Sequence, residues 1–342
     1  MAAEKMRGAV FTDIGELVVK ERDVPVLERQ DEGILDVQAC GICGTDLHIL
    51  TDPPGQPATL GVVLGHEIVG VVSEAGEDVV RLRPGDRVVV APNISCGQCV
   101  WCQRGLRNHC DHFTTIGIFR DGGLASRVRV PAENCFPISR DVPSHIAALA
   151  EPLSTVVNGV RLAQPFPGQS AVVIGAGPAG LMYAALLRFA GTTVTVLEPS
   201  EERASLATEM GVAHTIDPTR EDPVSAVRDL TDGLGADVVI DAVGSQLPVA
   251  MQVVRKAGRI VLFGLGPARS DFAQEEVTRN ELTLVGAFIG QAVFPDAIRL
   301  IEQHAEDFAP LVTHRVGIEE LPTAMEEMRA GRTGKVEIEF AR

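Results

Sequence analysis

The chain has 342 residues, 45% of them hydrophobic and 22% charged, enough for two domains and for a core that needs no disulfide staples. Its formal net charge of −16 argues against nucleic acid, whose phosphates it would repel. The opening MAAEKMRGAV lacks the long apolar core of a secretory signal, and the longest uncharged stretch, residues 171–187, falls short of the ~20 residues that span a bilayer. A cytoplasmic protein is expected, and in that reducing setting seven cysteines favour metal binding over disulfides.

Residues 8–160 carry short alternating runs such as ILDVQA, VGVVSE and RVVVAP, punctuated by turn signals such as RPGD and RDGG. The pattern predicts a mostly β domain with long functional loops. Within it, Cys96, Cys99, Cys102 and Cys110 follow the spacing C-x2-C-x2-C-x7-C. Short loops of this kind gather four thiolates into a tetrahedron around zinc, and a site with four protein ligands leaves no place for substrate, so this one is structural. A redox CxxC would sit at the start of a helix in a βαβ unit, which this region lacks.

From about residue 170 the rhythm changes. The apolar runs AVVI, VTVL, DVVI, RIVLF and LTLV alternate with helical segments such as GLMYAALLRFA and EERASLATEM, which predicts βαβ units on a parallel sheet. Gly175-Ala-Gly177-Pro-Ala179-Gly180 follows the first of these runs and opens a helix near Leu181. In a dinucleotide-binding turn Gly175 permits the tight bend, Gly177 lets a pyrophosphate approach the backbone, and Gly180 lets helix and strand pack closely. Glu198, at the end of VTVL, is placed to take ribose hydroxyls and to repel a 2′-phosphate, favouring NAD over NADP, although nearby Arg203 could instead meet that phosphate. The tail predicts helices near FPDAIRLIEQHA and IEELPTAMEEMRAG and a closing strand KVEIEF.

The motifs CGICGTDLH at 40–48 and LGHEIVG at 64–70, the GHE-x2-G-x5-G-x2-V pattern met by Gly65, His66, Glu67, Gly70, Gly76 and Val79, the cysteine lobe and the glycine turn together resemble the zinc-dependent medium-chain alcohol dehydrogenases. EPLS at 151–154 and PLVTHR at 310–315 are similar to the sorbitol (polyol) branch, and TGKVEIEF is similar to the threonine dehydrogenase branch. The resemblance implies α/β plus β architecture: a GroES-like β-barrel catalytic domain over 1–155 with a zinc lobe at about 93–112, a doubly wound Rossmann domain over 156–288, and a segment 289–342 that returns to the catalytic domain.

It also implies two zinc ions per chain. Cys43 and His66 match ligands of the catalytic zinc, which either Glu67 or Glu151 completes; Thr45 and His48 match a proton relay, and Asp46 a carboxylate that orients a ligand histidine. For the cofactor, Ala179, Arg203, Phe263, Gly264, Leu265, Ala287, Phe288 and Ile289 join Gly175, Gly177, Gly180 and Glu198. Ile289 stands where sorbitol dehydrogenases place an arginine, which argues against sorbitol itself. Cys40 and Cys135 are expected to be buried thiols, and His109 and His112 surface residues. The expected reaction is NAD-dependent interconversion of a secondary alcohol of a polyol, sugar or cyclitol with its ketone, the alternative being a threonine-type amino alcohol with Arg120 as a candidate carboxylate-binding cation. A non-catalytic binding role fits poorly with the retained Cys43, His48 and His66. The expected partner is a small alcohol or ketone substrate, and the resemblance implies a homodimer or homotetramer.

Overall fold

The computed structural model describes residues 4–290 and 292–340, so the first three residues of the N-terminal stretch and the last two of the C-terminal segment lie outside the described residues. The chain divides into two compact units. The first comprises Met1–Pro152, Phe294–Ala305 and Val312–Arg342; the second comprises Leu153–Val293 and Glu306–Leu311.

The first unit is built on the strand Glu32–Ile42, whose burial on both faces follows from neighbours on every side. It pairs antiparallel with Glu67–Ala75, with Arg127–Pro131 and with Lys335–Glu339, while Arg87–Val90 and Cys135–Pro137 extend the sheet beyond Glu67–Ala75. Register shifts at Ile34/Leu35 and Val37/Ala39 mark bulges, which bend a long strand and let a sheet curl. Leu35, Val37, Ile42, Ile68, Val88, Val128, Val336 and Ile338 fill its apolar core.

The second unit is a six-stranded parallel sheet in the order His214–Ile216, Thr193–Leu197, Ser170–Ile174, Ala236–Asp241, Val254–Leu262, Thr283–Gly286. The order reverses between Ser170–Ile174 and Ala236–Asp241, the switch point where open α/β sheets bind ligands beyond the strand carboxyl ends. Five of these strands match the apolar runs read from the sequence. The strand HTI does not, because it is an edge strand with two of its three residues exposed and therefore no hydrophobic signature. The helix after the glycine turn begins at Pro178, three residues before the expected start near Leu181, since proline at the first helical position is already set to helical φ. Among the described residues, no helix is long and apolar enough to cross a membrane.

Candidate metal centres and dinucleotide site

Cys43 precedes the short helix Gly44–Ile49, and its N–H donates to Asp46 Oδ2 at 2.9 Å. This bond turns Asp46 back into the protein, where it is fully buried, with Oδ1 3.7 Å from His66 Nδ1. Both of those atoms are buried without a hydrogen-bond partner among the described residues, so the expected pairing of Asp46 with the histidine is one of proximity and charge. His66 and Glu67 lead into the strand Glu67–Ala75, which brings them beside the Cys43 turn. One ligand atom each from Cys43, His66 and Glu67 lies within 4.8 Å of the others.

Glu151 sits in the first turn of the helix Ala150–Ala163 and outside that compact trio, yet close enough for its charge to act on His66. Burial pushes the Glu151 carboxyl up to about 7, against the pull of His66. Burial disfavours a charged His66 as well, but Asp46, Cys43 and Glu151 outweigh it and raise the imidazole pKa. A thiolate, an imidazole and carboxylates gathered on a strand end and a helix start fit zinc. Thr45 Oγ1 lies 3.7 Å from Cys43 Sγ, while the His48 imidazole is exposed one helical turn further on.

One member of this cluster escaped the sequence reading. Lys335 is 2% exposed, and its ammonium donates to the Ile42 carbonyl at 2.8 Å and to Glu67 Oε1 at 2.5 Å, with Glu67 Oε2 also in contact. Burial alone would lower its pKa; Glu67, Cys43 and Glu337 raise it on balance. Glu337, on the same strand face, is fully buried with neither carboxylate oxygen hydrogen-bonded among the described residues, and burial holds its pKa well above the ordinary value. Alternation in KVEIE reads as one charged, solvated face. The strand is instead interior, so the charges face the metal cluster.

The four lobe cysteines also converge, with all four sulfurs within 4.8 Å of one another. Backbone N–H groups of Gln98 and Cys99 point at Cys96 Sγ at 3.5 and 3.3 Å, and those of Cys96 and His112 point at Cys110 Sγ at 3.2 and 3.3 Å. Such donors stabilise thiolates. N–H groups of Cys102 and Asp111 lower the Cys99 thiol to about 6, whereas burial pushes Cys102 up to about 11. The Cys40 and Cys135 thiols are buried, and His109 and His112 are exposed, as expected from the sequence. Arg120 pairs with the buried Glu32 at 3.5 Å, so its charge is already committed to a carboxylate.

In the second unit, Gly175 has φ +95° and a Cβ at Gly180 would lie 1.9 Å from the Gly175 carbonyl oxygen, so only glycine fits where helix meets strand. A Cβ at Gly177 would meet nothing within 4 Å, so the helix start there has open space of the kind that receives dinucleotide phosphates. Ala179 lies in the first turn of that helix. Glu198 is buried, accepting from Ala176 N at 2.7 Å and Ser200 N at 2.9 Å. It therefore braces the glycine turn from below, and any ribose hydroxyl would meet a carboxylate already engaged by two donors. Arg203 Nε is buried without a partner among the described residues. Phe263 and Gly264 both donate from their backbone to the Asp241 carbonyl at 3.0 Å, and Leu265 is exposed beyond them. Ala287 donates to the Leu262 carbonyl at 2.9 Å, and Phe288 and Ile289 follow it off the carboxyl end of the last strand.

Residues 29–140 match the alcohol dehydrogenase GroES-like domain, and residues 178–303 match the zinc-binding dehydrogenase domain. The L-threonine 3-dehydrogenase of Pyrococcus horikoshii is 36% identical over 348 aligned positions, covering 98% of both chains. The chain belongs to the zinc-type medium-chain dehydrogenase/reductase family. Its fold is similar to a Sinorhizobium meliloti 1021 structure bound to NADP (TM-score 0.94, 32% identity, 98% of this chain and 100% of that one). It is similar also to the alcohol dehydrogenase rspB of Escherichia coli CFT073 complexed with NADH (TM-score 0.91, 28% identity, 99% of this chain and 100% of that one). This medium-chain dehydrogenase, a GroES-like domain joined to a Rossmann-type sheet, is a zinc-dependent NAD(P) oxidoreductase acting on a CH–OH group.

Proposed function

We propose that this enzyme oxidises the secondary alcohol of a small 3-hydroxy amino acid of the threonine type, with NAD as the preferred acceptor. The observation that carries the substrate class is similarity along the whole chain to L-threonine 3-dehydrogenases, at 36% identity and 98% coverage for the Pyrococcus horikoshii enzyme. The polyol, sugar or cyclitol expected from sequence gives way to this reading, and Ile289 in place of the arginine of sorbitol dehydrogenases supports the change.

In this proposal Cys43 and His66 hold a catalytic zinc with Glu67 or Glu151, while Cys96, Cys99, Cys102 and Cys110 hold a structural one. Zinc supplies Lewis acidity at the alcohol oxygen, and the nicotinamide ring supplies a hydride acceptor. The residues of the chain handle the proton. Thr45, whose hydroxyl is 3.7 Å from Cys43 Sγ, accepts it at Oγ1 while giving up its own hydroxyl proton, which the exposed His48 imidazole takes and passes to water. Gly175, Gly177, Ala179 and Gly180 receive the pyrophosphate, and Glu198 with Arg203 faces the adenosine ribose. The Glu198 carboxylate, fixed by two backbone donors, would take the ribose hydroxyls and repel a 2′-phosphate, which is the basis for preferring NAD.

Reduction of NAD and of NADP, followed by absorbance with L-threonine, sorbitol, sugars and cyclitols, tests both parts. The expected outcome is the highest kcat/KM for L-threonine with NAD. Faster turnover of a polyol would refute the substrate class, and equally efficient use of NADP would refute the cofactor preference.

A further inference from the structure

Ile289 has φ +41°, in the left-handed region that β-branched residues avoid. Two features of the helix Ala150–Ala163 hold it there. The Asn158 amide donates to the Ile289 carbonyl at 2.8 Å and, more weakly, to the Phe288 carbonyl at 3.5 Å. One turn earlier on the same helix face, Ser154 lies so close that a Cβ at position 290 would come within 2.5 Å of its Oγ and 2.6 Å of its carbonyl, so the chain passes it only as glycine.

A trans peptide sets its N–H opposite its C=O. With the carbonyls of Phe288 and Ile289 turned toward Asn158, the N–H groups of Ile289 and Gly290 face away from the helix, and neither makes a hydrogen bond among the described residues. The result is a pair of consecutive, unspent backbone donors just past the carboxyl end of the last sheet strand, on the side of an open α/β sheet where ligands bind. Strain of this kind persists only when its surroundings enforce it, and it concentrates at ligand clamps.

We propose that Asn158 is a positioning residue for the dinucleotide: it holds Ile289 in the left-handed conformation so that the Ile289 and Gly290 N–H groups meet an acceptor oxygen of the bound cofactor. The proposal rests on the reading of the second unit's sheet as the cofactor site, and it adds a residue that touches neither zinc nor the glycine turn. Asn158 makes no contact with the cofactor itself and acts through the turn.

The test is NADH binding, read by fluorescence titration on the zinc-loaded protein. Asn158→Asp keeps the size of the side chain, removes the donor and sets a carboxylate against two carbonyls. Asn158→Ala removes the amide while favouring the helix. Both should weaken NADH binding roughly tenfold, the scale of one well-made hydrogen bond to an ordered group, with zinc content and melting temperature near wild type. In turnover the KM for NAD should rise by more than kcat falls. Combined with Asn158→Ala, Ile289→Gly, which accepts the left-handed φ without strain, should recover part of the loss. Wild-type affinity in both Asn158 variants, or a loss that merely tracks a lower melting temperature, overturns the proposal. Wild-type protein that binds neither NADH nor NADPH would overturn the cofactor-site reading beneath it, a distinguishable result.

Discussion

Replacing Lys335 with methionine removes a buried cation while keeping a side chain of similar length, so the effect is electrostatic more than steric. The Lys335 side chain is 2% exposed and its ammonium contacts both oxygens of the fully buried Glu67, and Glu337 lies beside it with no side-chain hydrogen bond among the described residues. Removing one partner of a buried ion pair typically costs about 3–5 kcal/mol, because the other charge is left uncompensated. In a unit of this size that corresponds to a fall in melting temperature of roughly 6–20 °C. Zinc held beside Glu67 would neutralise the same carboxylate, so the loss should be largest in chelator-treated protein and smaller in zinc-loaded protein. The paired variant Lys335→Met/Glu67→Gln should recover much of it.

The pH dependence has a definite sign. Because the Lys335 pKa is raised above its ordinary 10.5, its contribution is fully present below that value and is lost only as pH rises beyond it toward the folded-state pKa. Melting of wild type and variant should therefore differ by the same amount throughout the neutral range. Thermal denaturation with and without chelator measures the effect. A metal-free variant within about 1 kcal/mol of wild type, where a broken buried pair should show several, would refute the reasoning.

Cys99→Ser should lower the melting temperature and make the lobe sensitive to chelator, whereas Cys43→Ser should abolish turnover and leave most of the stability; metal analysis finding at most one zinc in folded wild-type protein would count against two centres. His48→Gln should slow oxidation near neutral pH by about 10²–10⁴-fold, recover partly at higher pH, and keep its zinc, so a variant purified without catalytic zinc would contradict the relay. Tyr183 is fully buried and its hydroxyl has no partner among the described residues, so Tyr183→Phe should be neutral or stabilising by up to about 1 kcal/mol in chemical denaturation; a clear loss would mean the hydroxyl is satisfied. In metal-free protein Glu151, held by burial at about 7 against an ordinary 4.5, contributes stability that is complete below 4.5 and lost as pH rises through 7, and zinc uptake should strengthen over the same interval; zinc affinity independent of pH there would refute the assignment.

Most of what can be stated as spacing was legible in the sequence. The four lobe cysteines lie within fifteen positions, so local chain geometry alone obliges their sulfurs to meet when the loop closes. The glycine turn was legible for the same reason: Gly175 and Gly180 are five residues apart, and their steric demands arise within one strand–turn–helix unit. The edge strand His214–Ile216 was not legible, because an exposed strand has no burial to imprint a hydrophobic pattern.

The cluster of Cys43, His66 and Glu67 divides along the same line. Its candidate ligand residues were legible as local motifs, Cys43 with Thr45 and His48, and His66 with Glu67. What stands behind them comes from segments far apart in the chain. Lys335 is 268 residues from Glu67, and nothing in KVEIEF distinguishes a solvated strand face from one inserted beside Glu32–Ile42. Asn158 and Ile289 are likewise 131 residues apart, joined only because helix and sheet pack in the second unit. Backbone propensity and spacing act over a few residues. Which buried charge balances which, and which turn is held in strain, depends on long-range pairing that a linear pattern does not encode.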